Sequence, residues 1–87
     1  MKDKETIISD LKAIITPYTE ETEALAAITE ETDFIKDLKI NSANLVDIIL
    51  DIEEKFGIEI DNDSMAKMLD VKASIEVIEE KLAANAG

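Results

Sequence analysis

The 87-residue chain has no cysteine, no histidine and no tryptophan, and only one proline, two glycines and three aromatic residues. Without cysteine there is neither a disulfide framework nor a thiolate nucleophile. Without histidine the Ser-His and Cys-His dyads, the usual zinc sites and the commonest general base are all missing. Positive charge is also scarce. Nine basic residues face 21 acidic ones, for a formal charge of −12. Such a field repels nucleic acid and anionic membranes, both of which are gripped by basic side chains. It attracts basic protein surfaces in a salt-dependent way. No apolar run approaches membrane-spanning length, and Met1-Lys2-Asp3-Lys4-Glu5 lacks the apolar stretch of a secretion signal. A cytoplasmic chain with no nucleic-acid or membrane partner is therefore expected.

What is present is aliphatic. Hydrophobic residues make up 46% of the chain, enough to fold despite the charge. Eighty-seven residues suit one domain spanning 1–87, with no room for a second core. With Tyr18, Phe34 and Phe56 as the aromatics, that core must be built from Ile, Leu, Val, Met and Ala.

Apolar residues recur at Ile7, Ile8, Leu11, Ile14 and Ile15, which predicts an amphipathic helix over Asp3–Ile15. Its end is placed near Thr16-Pro17, because the residue before proline disfavours the helical region. Thr19–Thr32 reads as a long, acidic, Thr-rich connection in which Glu23–Ile28 has the makings of a short helical turn. Its two Thr-Glu-Glu-Thr copies are too short to count as a repeat. Phe34, Ile35 and Leu38 are expected to pin its far end to the core. A second helix is predicted from Ser42 to Phe56, with Leu45, Ile48, Ile49, Ile52 and Phe56 on one face and a stop at Gly57. Ile58-Glu59-Ile60 alternates like a strand, but nothing is available to pair with it, so an extended connector is expected. Asp61-Asn62-Asp63-Ser64 offers cap chemistry for a short helix containing Met65, Met68 and Leu69. Asp70 caps a last helix with Val71, Ile75, Ile78 and Leu82 on one face, and Ala83–Gly87 is expected to fray. Three longer helices, one short helix and a long loop between the first two give an all-α four-helix bundle.

Ser42 reads in two ways. It is an ordinary helix-start residue, or it is a modifiable hydroxyl placed where free N–H groups and the helix dipole favour an attached phosphate. With no histidine to activate it, modification by another enzyme fits better than autonomous nucleophilic chemistry. Asp47, Asp51, Glu53 and Glu54 form a charged face, since glycosidase-type pairs need a cleft and burial. The Asp61–Asp63 cluster fails the EF-hand spacing at Met65, Ala66 and Lys72. Val46 and Leu50 lie off the centre of the apolar stripe, on a flank available to line a groove.

The stretch Phe34-Ile35-Lys36-Asp37-Leu38-Lys39-Ile40-Asn41-Ser42, then Val46, then Glu53-Glu54-Lys55-Phe56-Gly57-Ile58-Glu59-Ile60, resembles the acyl carrier proteins. Their pattern runs F-x-x-D-L-G-x-D-S-L and then E-E-x-F-G-I-x-I. Val71, Ala73, Ile75 and Ile78 continue the register. The resemblance implies a non-catalytic carrier with 4'-phosphopantetheine on Ser42, attached from coenzyme A by a phosphopantetheinyl transferase. The arm would hold acyl groups as thioesters for acyl-loading enzymes, ketosynthases and related enzymes of fatty-acid or polyketide-type pathways. It places partner docking at Asn41, Ala43, Val46, Asp47, Leu50, Glu53 and Glu54, on a monomer. This sequence departs from the pattern at Lys39 (usually glycine), Asn41 (acidic), Ala43 (leucine) and Asn44 (often acidic). Those departures point to a specialised rather than a housekeeping carrier, serving a polyketide, pigment or other dedicated acyl pathway. They also motivate an alternative: an unmodified carrier-like module docking through its acidic helix.

Overall fold

The computed structural model describes residues 3–86. The readings at Met1-Lys2 and at Gly87 fall outside them. Five α-helices are present: α1 (Lys4–Ile15), α2 (Thr22–Ala26), α3 (Leu45–Phe56), α4 (Asn62–Lys67) and α5 (Val71–Ala86). Two single 3-10 turns, Thr16–Tyr18 and Ser42–Asn44, extend α1 and lead into α3. Among the described residues there is no strand, and the all-α class holds. The fifth helix, α2, is the short turn foreseen within the long connection.

Each helix follows from local chemistry. Asp3 caps α1 by accepting from the Thr6 N–H at 2.9 Å. The end of α1 lies where expected, but for another reason. Thr16, the residue before Pro17, keeps helical angles (φ −46°, ψ −45°) and its hydroxyl donates to the Lys12 carbonyl. The α-ladder ends because Pro17 has no N–H to give, and the chain tightens into a 3-10 turn. Gly57 ends α3 in the left-handed region (φ 65°), which glycine enters without penalty. Asp70 caps α5 through the Ala73 N–H at 2.8 Å. That helix continues to Ala86, so the tail expected to fray is helical as far as it is described.

Helix α1 packs on α3 and α5, and α4 packs on α5. Ile7, Leu11 and Ile15 of α1 meet Ile48, Ile49, Ile52 and Phe56 of α3, with Val71, Ile75 and Ile78 of α5 completing the core. The connector behaves as its alternation predicts, with Ile58 and Ile60 buried and Glu59 exposed. Two expectations need correcting, and one further residue joins the core. Ile35 is 39% exposed, so of the three residues expected to pin that end only Phe34 and Leu38 are buried. Helix α4 stops at Lys67, leaving Met68 as its buried cap and Leu69 outside it, 46% exposed. Val77, off the predicted stripe of α5, is buried.

The long connection is ordered mainly by hydrogen bonds. The Thr19 and Thr29 hydroxyls, first residues of the two Thr-Glu-Glu-Thr copies, each accept the N–H two residues on. One Asp33 carboxylate oxygen accepts from the N–H groups of both Ile35 and Lys36 at 2.8 Å. The segment is then stitched to the start of α5: Phe34 donates to the Leu69 carbonyl, Val71 to Thr32 and Lys72 to Glu30. Asp33 and Asp70 form an isolated antiparallel bridge there, a pairing that no pattern in the chain announces. On the other side, the Tyr18 hydroxyl donates to Asp51 of α3 at 2.9 Å.

Three measurements probe these contacts. Ile52 is fully buried, so Ile52→Ala is expected to cost about 2–5 kcal/mol, leaving little of the roughly 5–15 kcal/mol typical of a domain. Urea denaturation followed by circular dichroism reads the loss. Lys39 sits at φ +53°, a conformation costing a side-chain-bearing residue roughly 1–2 kcal/mol. Lys39→Gly recovers that cost less the entropy of glycine, so the same assay is expected to show a gain of about 0.5–1 kcal/mol. The hydrogen bond to Asp51 raises the Tyr18 pKa above its ordinary value of 10.0, with burial and the Asp51 and Asp47 charges adding to it. A raised pKa means the contribution to stability is complete below pH 10 and lost as the phenol ionises at higher pH. Tyr18 is the only tyrosine and there is no tryptophan, so tyrosinate absorbance reports it alone. Its midpoint is expected above 10 in the native protein and lower in Asp51→Asn.

Candidate functional site

The segment bearing Ser42 is fixed from both ends. Leu38 and Ile40 are buried, and between them Lys39 takes the left-handed conformation with its side chain exposed. The Leu38 carbonyl accepts the Thr19 hydroxyl at 2.6 Å, and the Ile40 N–H donates to the Phe34 carbonyl. Asn41 is extended (φ −64°, ψ 133°) and caps the 3-10 turn after it, its side-chain oxygen accepting from the Ala43 N–H at 2.9 Å. Its carbonyl accepts from the Asn44 N–H at 2.8 Å. The Leu45 N–H bonds back to the Ser42 carbonyl.

Ser42 is therefore the first residue of a 3-10 turn that runs into α3. Its side chain is exposed, and its hydroxyl has no hydrogen-bond partner among the described residues. A hydroxyl with no internal bond to surrender, at an accessible helix entrance, fits a phosphodiester link. Of the N–H groups expected to be free around it, those of Ala43, Asn44 and Leu45 are already bonded. The described residues contain no cluster of His, Cys, Asp or Glu able to hold a metal ion.

The other site residues lie on the outer face of α3 or at its entrance. At 3.6 residues per turn, Val46, Asp47, Leu50, Glu53 and Glu54 share one side of the helix, opposite the core stripe. Val46 and Leu50 are 49% and 53% exposed, an apolar pair set among carboxylates. Asp47 and Glu54 are exposed, as are Asn41 and Ala43 beside the serine. Glu53 is half-buried, and one of its oxygens accepts the Ile60 N–H at 2.7 Å. That carboxylate also fastens the Ile58–Ile60 connector to α3, a role the acidic pattern did not reveal. A cleft of about 380 Å³ lies beside the serine segment, with Tyr18, Glu20, Glu21, Lys39, Asn41 and Asn44 among its lining residues. Sequence reasoning missed it because its two walls come from segments some twenty residues apart. The solitary Tyr18 directly after the solitary Pro17 was the available signal.

Comparison with known proteins gives the family. The phosphopantetheine attachment site family matches residues 10–80. The acyl carrier protein of Thermotoga maritima is 35% identical over 82 residues, covering 94% of this chain and 99% of its own. That of Coprothermobacter proteolyticus is 35% identical over 82 residues, covering 92% and 95%. That of Helicobacter acinonychis is 37% identical over 75 residues, covering 85% and 92%. None of the described helices is long and apolar enough to cross a membrane. With its helical fold and a family match over most of its length, this chain belongs to the acyl carrier protein family, whose cofactor is 4'-phosphopantetheine.

Proposed function

We propose that Ser42 is the attachment point and that the chain is a single cytoplasmic carrier domain, monomeric and without catalytic activity of its own. The observation that carries this reading is the exposed Ser42 hydroxyl at the entrance to α3, with no hydrogen-bond partner among the described residues. When bound, the phosphopantetheine group supplies the thiol on which acyl groups travel as thioesters. Ser42 provides the oxygen that displaces adenosine 3',5'-bisphosphate from coenzyme A, while a partner transferase provides the base, since the chain has no histidine or cysteine.

Docking is assigned to the outer face of α3 with Asn41 and Ala43. Val46 and Leu50 offer apolar contact, and Asp47, Glu53 and Glu54 offer charge to basic surfaces of acyl-loading enzymes, ketosynthases and the transferase. Exposed ion pairs contribute at most about 1 kcal/mol each, so such complexes are short-lived and salt-sensitive. A carrier must leave each enzyme to reach the next, and weak docking suits that need. The residues around Ser42 support a specialised pathway. Asn41, Ala43 and Asn44 make the attachment site less acidic and less apolar than the usual family pattern.

The test is intact-mass analysis after incubation with coenzyme A and a broad-specificity phosphopantetheinyl transferase. A single adduct on the wild type and none on Ser42→Ala is expected. No adduct on the wild type, or an equal one on Ser42→Ala, overturns the assignment. A salt-sensitive complex that persists without any adduct would favour the unmodified docking module instead.

A further inference from the structure

The cleft beside Ser42 has a charge pattern that the carrier role alone does not explain. Of the nine basic residues, Lys39 is the nearest in sequence to Ser42, and it lines this cleft. The ion pairs seen among the described residues, Lys4–Glu30 and Lys81–Asp61, do not involve it. Its ammonium has no carboxylate partner there, although the chain carries more than twice as many acids as bases. Asn41 and Asn44 line the same cleft. The Asn41 oxygen is engaged by Ala43, which leaves its amino group as a donor. Glu20 and Glu21, on the segment after the first 3-10 turn, line the cleft from the other side together with Tyr18.

A phosphodiester on Ser42 brings one negative charge. The first N–H groups of the helix entrance, already bonded to Asn41 and Ser42, are not available to receive it. Beyond the phosphate, a pantetheine arm carries a hydroxyl and two amide N–H groups, which are donors. The cleft presents a cation and amide donors on the serine-bearing segment and carboxylate acceptors on the other. Its volume of about 380 Å³ lies within the roughly 300–1,000 Å³ of clefts that hold small ligands. Its lining mixes polar groups with Leu38 and Tyr18, which suits an arm that carries methyl and methylene groups as well as amides.

We propose that this cleft is the resting site of the arm, with Lys39 as counter-ion to the phosphodiester and Glu20 and Glu21 accepting from its hydroxyl and amide groups. The proposal rests on Ser42 being the attachment point. It makes Lys39 a positioning residue. A side chain stands where the fold favours glycine because its charge holds the arm against the protein between deliveries. Docking of a partner on the outer face of α3 then competes for an arm that is parked rather than swinging freely.

The test uses holo-protein whose adduct is verified by intact mass, with nuclear Overhauser contacts between arm protons and the ring of the single tyrosine as readout. Wild type and Lys39→Arg are expected to show the contacts. Lys39→Asn, which keeps a residue tolerant of the left-handed conformation but removes the charge, is expected to lose them. Holo wild type without such contacts, or contacts undiminished in Lys39→Asn, overturns the resting site while leaving the attachment at Ser42 intact. An adduct absent from Ser42 overturns both.

Discussion

The structure depends on one helix serving two environments. Leu45, Ile48, Ile49, Ile52 and Phe56 of α3 are buried, and they carry much of the contact that holds α1 in place. The opposite side of the same twelve residues keeps Val46 and Leu50 about half in water among carboxylates. Neither face can drift toward the other. An added charge on the inner stripe empties the core, and burying the outer pair removes the exposed apolar surface proposed for docking. Because the helix is held so firmly, the residue at its entrance is held too. That is how a small aliphatic bundle offers one hydroxyl in a fixed place.

The serine segment gains a second fixation from chemistry that has no periodicity. Phe34 and Leu38 are buried, but the precision comes from polar contacts: Thr19 to the Leu38 carbonyl, Ile40 to the Phe34 carbonyl, and Asn41 to Ala43. These contacts hold Lys39 in its left-handed conformation, since the residues on either side of it cannot move. Local strain of this kind survives only where the surroundings over-determine it. The neighbourhood of Ser42 is such a place.

What the sequence revealed and what it concealed divide along that line. Helices α1, α3 and α5 were legible because apolar spacing of three and four residues leaves a pattern, and Gly57 and Asp70 mark ends by known local rules. The inward turn of Ile58 and Ile60 was legible from alternation. The bridge between Asp33 and Asp70 was not, because two single residues meeting across 37 positions leave no repeat to read. Ile35 misled and Val77 went unnamed for a common reason: their identity is right for either environment, and only the packing of neighbouring segments decides. Two of the supposed free N–H groups near Ser42 were lost to Asn41, whose cap can be named from sequence but whose consequence for the serine needs geometry. The double duty of Glu53, on the acidic face and against Ile60, is hidden in the same way.

The stitching of the long connection to α5 also decides how the molecule breathes. A loop of this length ordinarily trades its amide hydrogens with water in the fastest class. Here the hydrogens of Phe34, Val71 and Lys72 are shared across the junction, so they exchange only when the two segments part. Solvent deuterium thus distinguishes a loop that merely flickers from one that detaches. The slow clock ticks where the loop meets the last helix.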